Sequence, residues 1–290
     1  MSDDYPLYVS YVISRDCVAN CVFCITPKET NVPNVDTASA KIIVDKCVAA
    51  NVRMISFAGR EPFLRKDIWD IIEYTKSKNV KLNIETTATT LTNSDIDRLV
   101  NLQVDWLSLS IDSLQKDDTK SMGRPFVSKN LLNTLCDKFR KSSTCSLKVN
   151  TVVSRQNMNE ITRIGELLNN NPPTVWKLRQ YTMRGAGLLP EVAEKYNIST
   201  DLFSNLVDCV KKAFNNIFIE DCSNIQYKGT LIMIKPNGDL VVPYNNKESK
   251  RGNLLNDSCE INDVWRDGML NKELHRKNYY EIYIRPLEDV

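Results

Sequence analysis

Arg15-Asp16-Cys17-Val18-Ala19-Asn20-Cys21-Val22-Phe23-Cys24 decides how this chain is read: three cysteines spaced C-x3-C-x2-C, with an aromatic directly before the third. Three thiolates in so short a segment can cover three irons of a [4Fe–4S] cube and leave the fourth iron open to a ligand. A structural zinc site asks instead for a fourth Cys or His nearby, arranged in paired halves. The single histidine, His275, lies far along the chain in a charged stretch. A disulfide framework fits poorly with an odd count of 9 cysteines in a chain of 290 residues. Met1 opens a polar segment with no basic, apolar signal, so a reducing cytoplasm is the expected setting.

At 42% hydrophobic content the chain can bury one large core and a small appendage. No apolar run reaches membrane-spanning length. The 38 basic and 36 acidic residues leave a net charge of +2. There is no global field to draw in a membrane or an extended nucleic acid.

Outward from the cysteines, β-rich runs alternate with amphipathic stretches. Strands are expected over Leu7–Ile13, Met54–Phe57, Lys81–Glu85, Trp106–Ile111, Leu147–Val153 and Val175–Gln180. Helices are expected over Ala40–Ala50, Asp67–Lys78, Asn93–Asn101, Lys129–Lys141 and Glu160–Leu168, from apolar residues three and four apart. Thr92, with Asp95 three positions on, predicts a capped helix start. Six β-α units in this order predict an α/β fold with a parallel sheet, curled by right-handed crossovers towards an open barrel. In such barrels chemistry gathers at the carboxyl ends of the strands, where the cysteine loop falls.

The cysteine spacing, with Phe23 before the third thiolate, resembles the radical S-adenosylmethionine (SAM) superfamily. Its usual fold is a partial (β/α)6 barrel of the TIM type, and its open iron chelates the amino and carboxylate groups of SAM. The resemblance implies that Cys17, Cys21 and Cys24 hold one [4Fe–4S] cluster. The turn Ser56-Phe57-Ala58-Gly59-Arg60-Glu61-Pro62-Phe63-Leu64 resembles the superfamily's Gly-Gly-Glu-Pro turn, with Arg60 in place of the second glycine. It implies that Ala58, Gly59 and Glu61 face the SAM amino group, and a non-glycine at position 60 resists positive φ. Alternation puts Ser108, Ser110 and Asp112 on one face of the fourth strand. By resemblance Ser110 and Arg124 hold the SAM carboxylate, Asp112 meets the ribose, and Phe23, Ser108 and Asn150 complete the cofactor-binding set. The competing reading of the Arg124 segment is a turn with a solvated arginine.

Strands five and six resemble the viperin and molybdenum-cofactor cyclase branch, which presents asparagine, lysine and arginine to a nucleoside triphosphate. Lys148, Asn150 and Ser154 alternate along the fifth strand, and Lys177 and Arg179 share a face of the sixth, which leads to Tyr181. Lys177, Arg179 and Tyr181 are the expected substrate contacts, the two cations forming a phosphate or carboxylate clamp. A solvated charged edge is the alternative. Viperins are more basic after the glycine-arginine turn than Pro125–Asn130 is here, which argues against a viperin-type CTP substrate.

Beyond about residue 216, short strands are expected at Ile217–Ile219, Leu231–Ile234 and Leu240–Val242, with Pro236-Asn237-Gly238-Asp239 as a hairpin turn. This part resembles the C-terminal extension of SPASM and twitch enzymes, where a cysteine stands in place of Tyr244. Only Cys222 and Cys259 lie in the region, too few for a usual four-cysteine cluster. The expected division is a partial barrel over 1–215 and, over 216–290, a small α+β cap without an auxiliary cluster. Cys47, Cys136, Cys145 and Cys209 are expected in the core.

The resemblance implies an enzyme that cleaves SAM reductively to a 5′-deoxyadenosyl radical, fed by an external electron donor such as flavodoxin or ferredoxin. The leading expectation is hydrogen abstraction from a small, nucleotide-like or phosphorylated metabolite. Modification of a ribosomal peptide is the second, and a non-catalytic iron–sulfur protein the third.

Overall fold

The computed structural model describes residues 4–26, 32–224, 229–244, 247–256, 258–280 and 283. In chain order the strands are β1 (Tyr8–Tyr11), β2 (Met54–Phe57), β3 (Lys81–Thr86), β4 (Trp106–Ser110), β5 (Ser146–Val153), β6 (Val175–Gln180), β7 (Phe218–Cys222), β8 (Met233–Ile234), β9 (Asp239–Tyr244) and β10 (Lys247–Asn253). The helices are α1 (Thr37–Ala49), α2 (Ile68–Ser77), α3 (Asn93–Asn101), α4 (Lys116–Ser121), α5 (Lys129–Lys141), α6 (Ile161–Asn170), α7 (Pro190–Tyr196), α8 (Thr200–Ala213), α9 (Ile261–Arg266) and α10 (Lys272–Tyr279). The first six strands, and α1, α2, α3, α5 and α6 between them, fall within a few residues of where periodicity places them; the short α4 between β4 and β5 is not among the expected helices. Asp36 caps α1 by accepting from Ser39 N at 2.7 Å. Thr92 and Asp95 form the expected capping box on α3. No helix among the described residues is long and apolar enough to cross a membrane.

Two compact units result. The first comprises Met1–Asp16, Lys28–Ile84 and Ile225–Val290. Its strands run in the order β10-β9-β8-β1-β2-β3. β1, β2 and β3 are parallel neighbours, β8 joins β1 in parallel, and β9 turns back antiparallel to both β8 and β10. Val9, Tyr11, Ile55, Phe57, Leu82 and Ile84 are fully buried, as are Ile43, Val44, Cys47, Ile71 and Ile72 of α1 and α2. The expected hairpin turn is present, with Gly238 at φ +84° and Lys235 N–H donating to the Asp239 carbonyl at 2.8 Å. Tyr244 closes β9, but its side chain lies outside the described residues.

The second unit comprises Cys17–Pro27 and Glu85–Asn224. β4, β5, β6 and β7 are consecutive parallel neighbours. Leu107, Leu109, Val149, Trp176 and Leu178 are fully buried on the apolar face, where α5 packs on β5 and α8 on β6. Cys136 and Cys145 are buried as expected, but Cys209 is exposed, because the buried stripe of α8 runs through Phe203, Val207 and Val210. The two units cut across the linear division at residue 216: β7 belongs with β4–β6, whereas β8–β10 belong with β1–β3. That division, with a cap over the barrel mouth, stays a proposal about function.

His275, read in the sequence only as a remote histidine, joins the two ends of the chain within the first unit. It is fully buried. Its Nε2 accepts from Leu7 N at 3.0 Å and Tyr8 N at 3.3 Å, so the ring proton must sit on Nδ1, which donates to the Thr230 carbonyl at 2.6 Å. Tyr8 stacks on Tyr279 beside it, ring centroids 4.3 Å apart. Burial pushes the His275 pKa down from 6.5 to about 4. The unfolded chain therefore takes up this proton first, and the contribution is present above pH 6.5 and lost as pH falls towards 4. Urea titrations should show a loss of about 3 kcal/mol between neutral pH and pH 4 that is largely absent in His275→Gln. Equal pH dependence in the two proteins would contradict the assignment.

Candidate active site

The segment that leaves β1 is held tightly before it reaches the first cysteine. Arg65, almost fully buried, donates to the Ile13 carbonyl at 3.0 Å and the Val35 carbonyl at 2.8 Å while its other edge grips Asp67 at 2.7 Å. Glu61 N–H donates to the Asp16 carbonyl at 3.0 Å. A planar guanidinium presents five donors in a fixed fork, enough here for two carbonyls and both oxygens of the Asp67 carboxylate. Sequence reading passed over Arg65 because nothing in its spacing announces such contacts.

Cys17, Cys21 and Cys24 are unbridged and partly buried. Ala19 N–H donates to Cys17 Sγ at 3.4 Å, and the Cys24 thiol donates to the Thr26 carbonyl at 3.0 Å. Burial pushes the Cys21 thiol up to about 11, against the opposing pull of Arg124. Among the described residues no three of Cys, His, Asp and Glu converge on a point that one metal ion could fill. A cube asks for a different arrangement, one thiolate on each of three irons, and its positive irons stabilise thiolates that burial alone disfavours. The donor set fits such a cluster. Phe23 is buried and meets Tyr196 and Tyr181 at centroid distances of 5.7 and 6.4 Å, so it anchors the loop by packing.

The Gly59 turn belongs to the first unit. Gly59 sits at φ +90°, and a Cβ there would meet a Val12 methyl at 2.7 Å, so glycine is needed. Arg60 does not take a positive φ, and the turn tolerates it at the second position. Its Nη2 is buried with no hydrogen-bond partner among the described residues. Ala58 N–H donates to the Tyr11 carbonyl at 2.9 Å. Glu61 is fully buried, its carboxylate capping the short turn Pro62–Leu64 by accepting from Phe63 N at 3.5 Å.

In the second unit, Arg124 and Asp112 form a close pair, Nε to Oδ2 at 2.6 Å, without an aligned hydrogen bond. Asp112 Oδ1 accepts from Val152 N at 2.7 Å. Asp112 is thus spent on Arg124 and the β5 backbone rather than presented to a ribose. Arg124 lies over the Phe23 ring at 5.5 Å, against the reading of a solvated turn arginine.

Strand register aligns Ser110, Asn150, Lys177 and Glu220 across β4–β7, on the face away from the helices. Ser108 and Lys148 lie one step below on this face, and Arg179 one step above. Asn150 Oδ1 is buried without a partner among the described residues. Lys177 is not a solvated edge. It and Lys148 are buried and reach the two oxygens of Glu220, at 2.5 and 2.7 Å. The open clamp expected of Lys177 is therefore replaced by an ion-paired bridge from β5 to β7. Burial alone would raise the Glu220 pKa, but the two ammoniums more than offset it and hold it at about 2; burial pushes Lys148 down to about 8. Glu220 escaped sequence reading because the strand was expected to end at Ile219. Tyr181, expected as a substrate contact, is fully buried and donates its hydroxyl to the Gly187 carbonyl at 2.6 Å.

A parallel α/β sheet with a three-thiolate loop after its first strand defines an iron–sulfur protein of the partial-barrel class. The family profile described as the Radical SAM superfamily matches residues 11–168, and the chain belongs to that superfamily. Its members are enzymes that use a [4Fe–4S] cluster and SAM and depend on a reductant. The chain is similar to the S-adenosylmethionine-dependent nucleotide dehydratase of Lacinutrix mariniflava, 28% identical over 241 residues, covering 79% of this chain and 49% of the relative. It thus spans about half the length of that relative. The mycofactocin maturase MftC of Mycolicibacterium smegmatis is 21% identical over 293 residues, covering 93% of this chain and 73% of the maturase. Among solved structures, Streptococcus suis SuiB bound to its precursor peptide SuiA superposes with a TM-score of 0.72 at 17% identity, over 94% of this chain and 67% of SuiB. At that identity the likeness speaks to the fold, an α/β partial TIM barrel.

Replacing any one of Cys17, Cys21 or Cys24 by alanine should drop reconstituted iron and sulfide well below four of each per chain, read by colorimetric assay; full retention in any variant removes that cysteine as a ligand. Glu220→Ala should lower stability by about 3–5 kcal/mol in denaturant titrations, because it leaves two buried ammoniums without their shared carboxylate. A loss under about 1 kcal/mol would mean the bridge is solvated in solution.

Proposed function

We propose that the chain is a radical SAM enzyme acting in the cytoplasm on a small, nucleotide-like or phosphorylated metabolite. The observation that carries this reading is the polar face of β4–β7. Ser108, Ser110, Lys148, Asn150, Lys177, Arg179 and Glu220 occupy the side of the sheet away from the helices, positions that in a filled barrel are taken by branched apolar residues. Three cations stand there against Glu220 and, near Lys148, Glu85. A face built this way suits a ligand that carries anionic and hydrogen-bonding groups. The similarity to a nucleotide dehydratase over 79% of this chain supports the same substrate class.

Cys17, Cys21 and Cys24 would hold the [4Fe–4S] cluster, which, with an external donor such as flavodoxin or ferredoxin, would supply the one-electron reduction needed for reductive cleavage of SAM. The chain's own residues orient and shield. Within the first unit, Gly59 lets its turn pack against Val12 and Glu61 caps the turn that follows, which fixes the shape of that segment. Asn150 offers Oδ1 as an acceptor. Arg179 supplies a cation to the substrate's anionic group, while the Lys148–Glu220–Lys177 bridge keeps β5–β7 rigid beneath it.

Peptide modification is the second reading. It is favoured by the mycofactocin maturase, whose similarity extends over 93% of this chain. Anaerobic reconstitution followed by dithionite and SAM, with chromatography for 5′-deoxyadenosine, separates the two. A nucleoside triphosphate should raise the rate about tenfold or more, and Arg179→Ala should weaken that nucleotide's binding by about tenfold. Acceleration by a precursor-type peptide and by no nucleotide would move the assignment to peptide modification. Intact SAM under every condition would leave a non-catalytic iron–sulfur protein.

A further inference from the structure

The cysteine loop is held backbone against backbone on two sides within the second unit. On one side Asn20 N–H donates to the Gly123 carbonyl at 2.8 Å, and Val22 N–H to the Met122 carbonyl at 3.1 Å. On the other, Ala186 N–H donates to the Cys24 carbonyl at 3.0 Å from the short turn Gly185–Leu188 that follows β6. Both approaches are too close for a side chain. Gly123 sits at φ +70°, and a Cβ there would collide with the Asn20 carbonyl oxygen. Gly185 sits at φ +57°, and a Cβ there would collide with the Cys24 carbonyl oxygen and meet the Ile25 carbonyl at 3.1 Å. In each case the obstacle is main chain, which cannot rotate aside, so a substituent would have to push the cysteine loop itself. Positive φ adds its own cost for any residue with a Cβ.

Aromatic packing locks the same geometry from the middle. Phe23 lies under Arg124 at 5.5 Å and against Tyr181 and Tyr196. The Tyr181 hydroxyl reaches the Gly187 carbonyl at 2.6 Å, so the turn and the loop are fixed to one aromatic cluster.

We propose that Gly123 and Gly185 are positioning residues for the cluster: they seat the cysteine loop in its liganding shape before iron arrives, Gly123 beside Cys21 and Gly185 beside Cys24. These seating contacts are made by the chain's own backbone and by Phe23, Arg124, Tyr181 and Tyr196. A loop ordered in advance has less conformational freedom to lose when the cube assembles. The three sulfur positions would then be given by the protein rather than chosen by the metal. The role is independent of the substrate.

The test begins with iron-free, anaerobic wild-type chain. Hydrogen exchange should find the amides of Asn20, Val22 and Ala186 protected. Gly123→Ala and Gly185→Ala are then compared with Gly165→Ala, a control in α6 whose added Cβ would strike the Phe214 ring and cost stability away from the loop. At a temperature where circular dichroism is native, the two loop variants should bind less iron than wild type and give an altered EPR spectrum of the reduced cluster. Alkylation of Cys24 in iron-free Gly185→Ala should speed up about fivefold, the effect of strain of order 1 kcal/mol. The control should melt earlier yet keep wild-type iron, spectrum and alkylation rate. Unprotected amides in iron-free wild type would overturn the proposal even if no loop variant folds. So would a folded Gly185→Ala with wild-type iron, spectrum and Cys24 reactivity.

Discussion

Three thiolates can leave one iron of a cube open only if no fourth protein ligand closes it and the loop that carries them keeps its shape. The chain meets this by clamping. Arg65 and Glu61 fix the entry to the loop, and in the second unit Gly123, Gly185 and the ring of Phe23 fix the loop itself. Within the second unit the two glycines and Phe23 are not ligands, yet they shape the loop that carries the sulfur atoms. The glycines matter for the atoms they lack, since the space a Cβ would need is filled by the carbonyls of Asn20 and Cys24.

The second constraint is electrostatic. A sheet that turns Lys148, Lys177 and Glu220 inward must neutralise them locally, and the three do so as one bridge across β5, β6 and β7. That arrangement gives the buried lysines a shared carboxylate partner and fixes the strands on which Asn150 and Arg179 sit. It also redistributes the roles expected of the cations. Lys177 has become a brace, and the contact with a ligand's anionic group is proposed for the half-buried Arg179.

Much of the architecture was legible because buried parallel strands and amphipathic helices write their periodicity into the chain. β2, β6, α3 and α5 fall on their expected residues, and the Thr92–Asp95 box marks the start of α3 through chemistry local to four residues. β10 was invisible to the same reading: Lys247–Asn253 is polar on both faces, and only its pairing with β9 makes it a strand. The candidate site was legible at the cysteines and the Gly59 turn, where ligand spacing and backbone freedom are local properties. It was not legible where a role depends on a partner distant in sequence. Glu220 meets Lys148 across 72 positions, and His275 meets Leu7 across 268. Asp112 and Tyr181 lie just past the ends of β4 and β6, and their polar atoms are taken by Arg124, Val152 and Gly187, which no alternation pattern announces.

The central claim is that the three-cysteine loop presents a cube with one iron open to SAM. It is tested most directly by EPR of the reconstituted, dithionite-reduced chain, recorded before and after adding SAM. The account predicts a reduced four-iron signal whose g-values shift when SAM binds the open iron. A cluster signal that is indifferent to saturating SAM would contradict it.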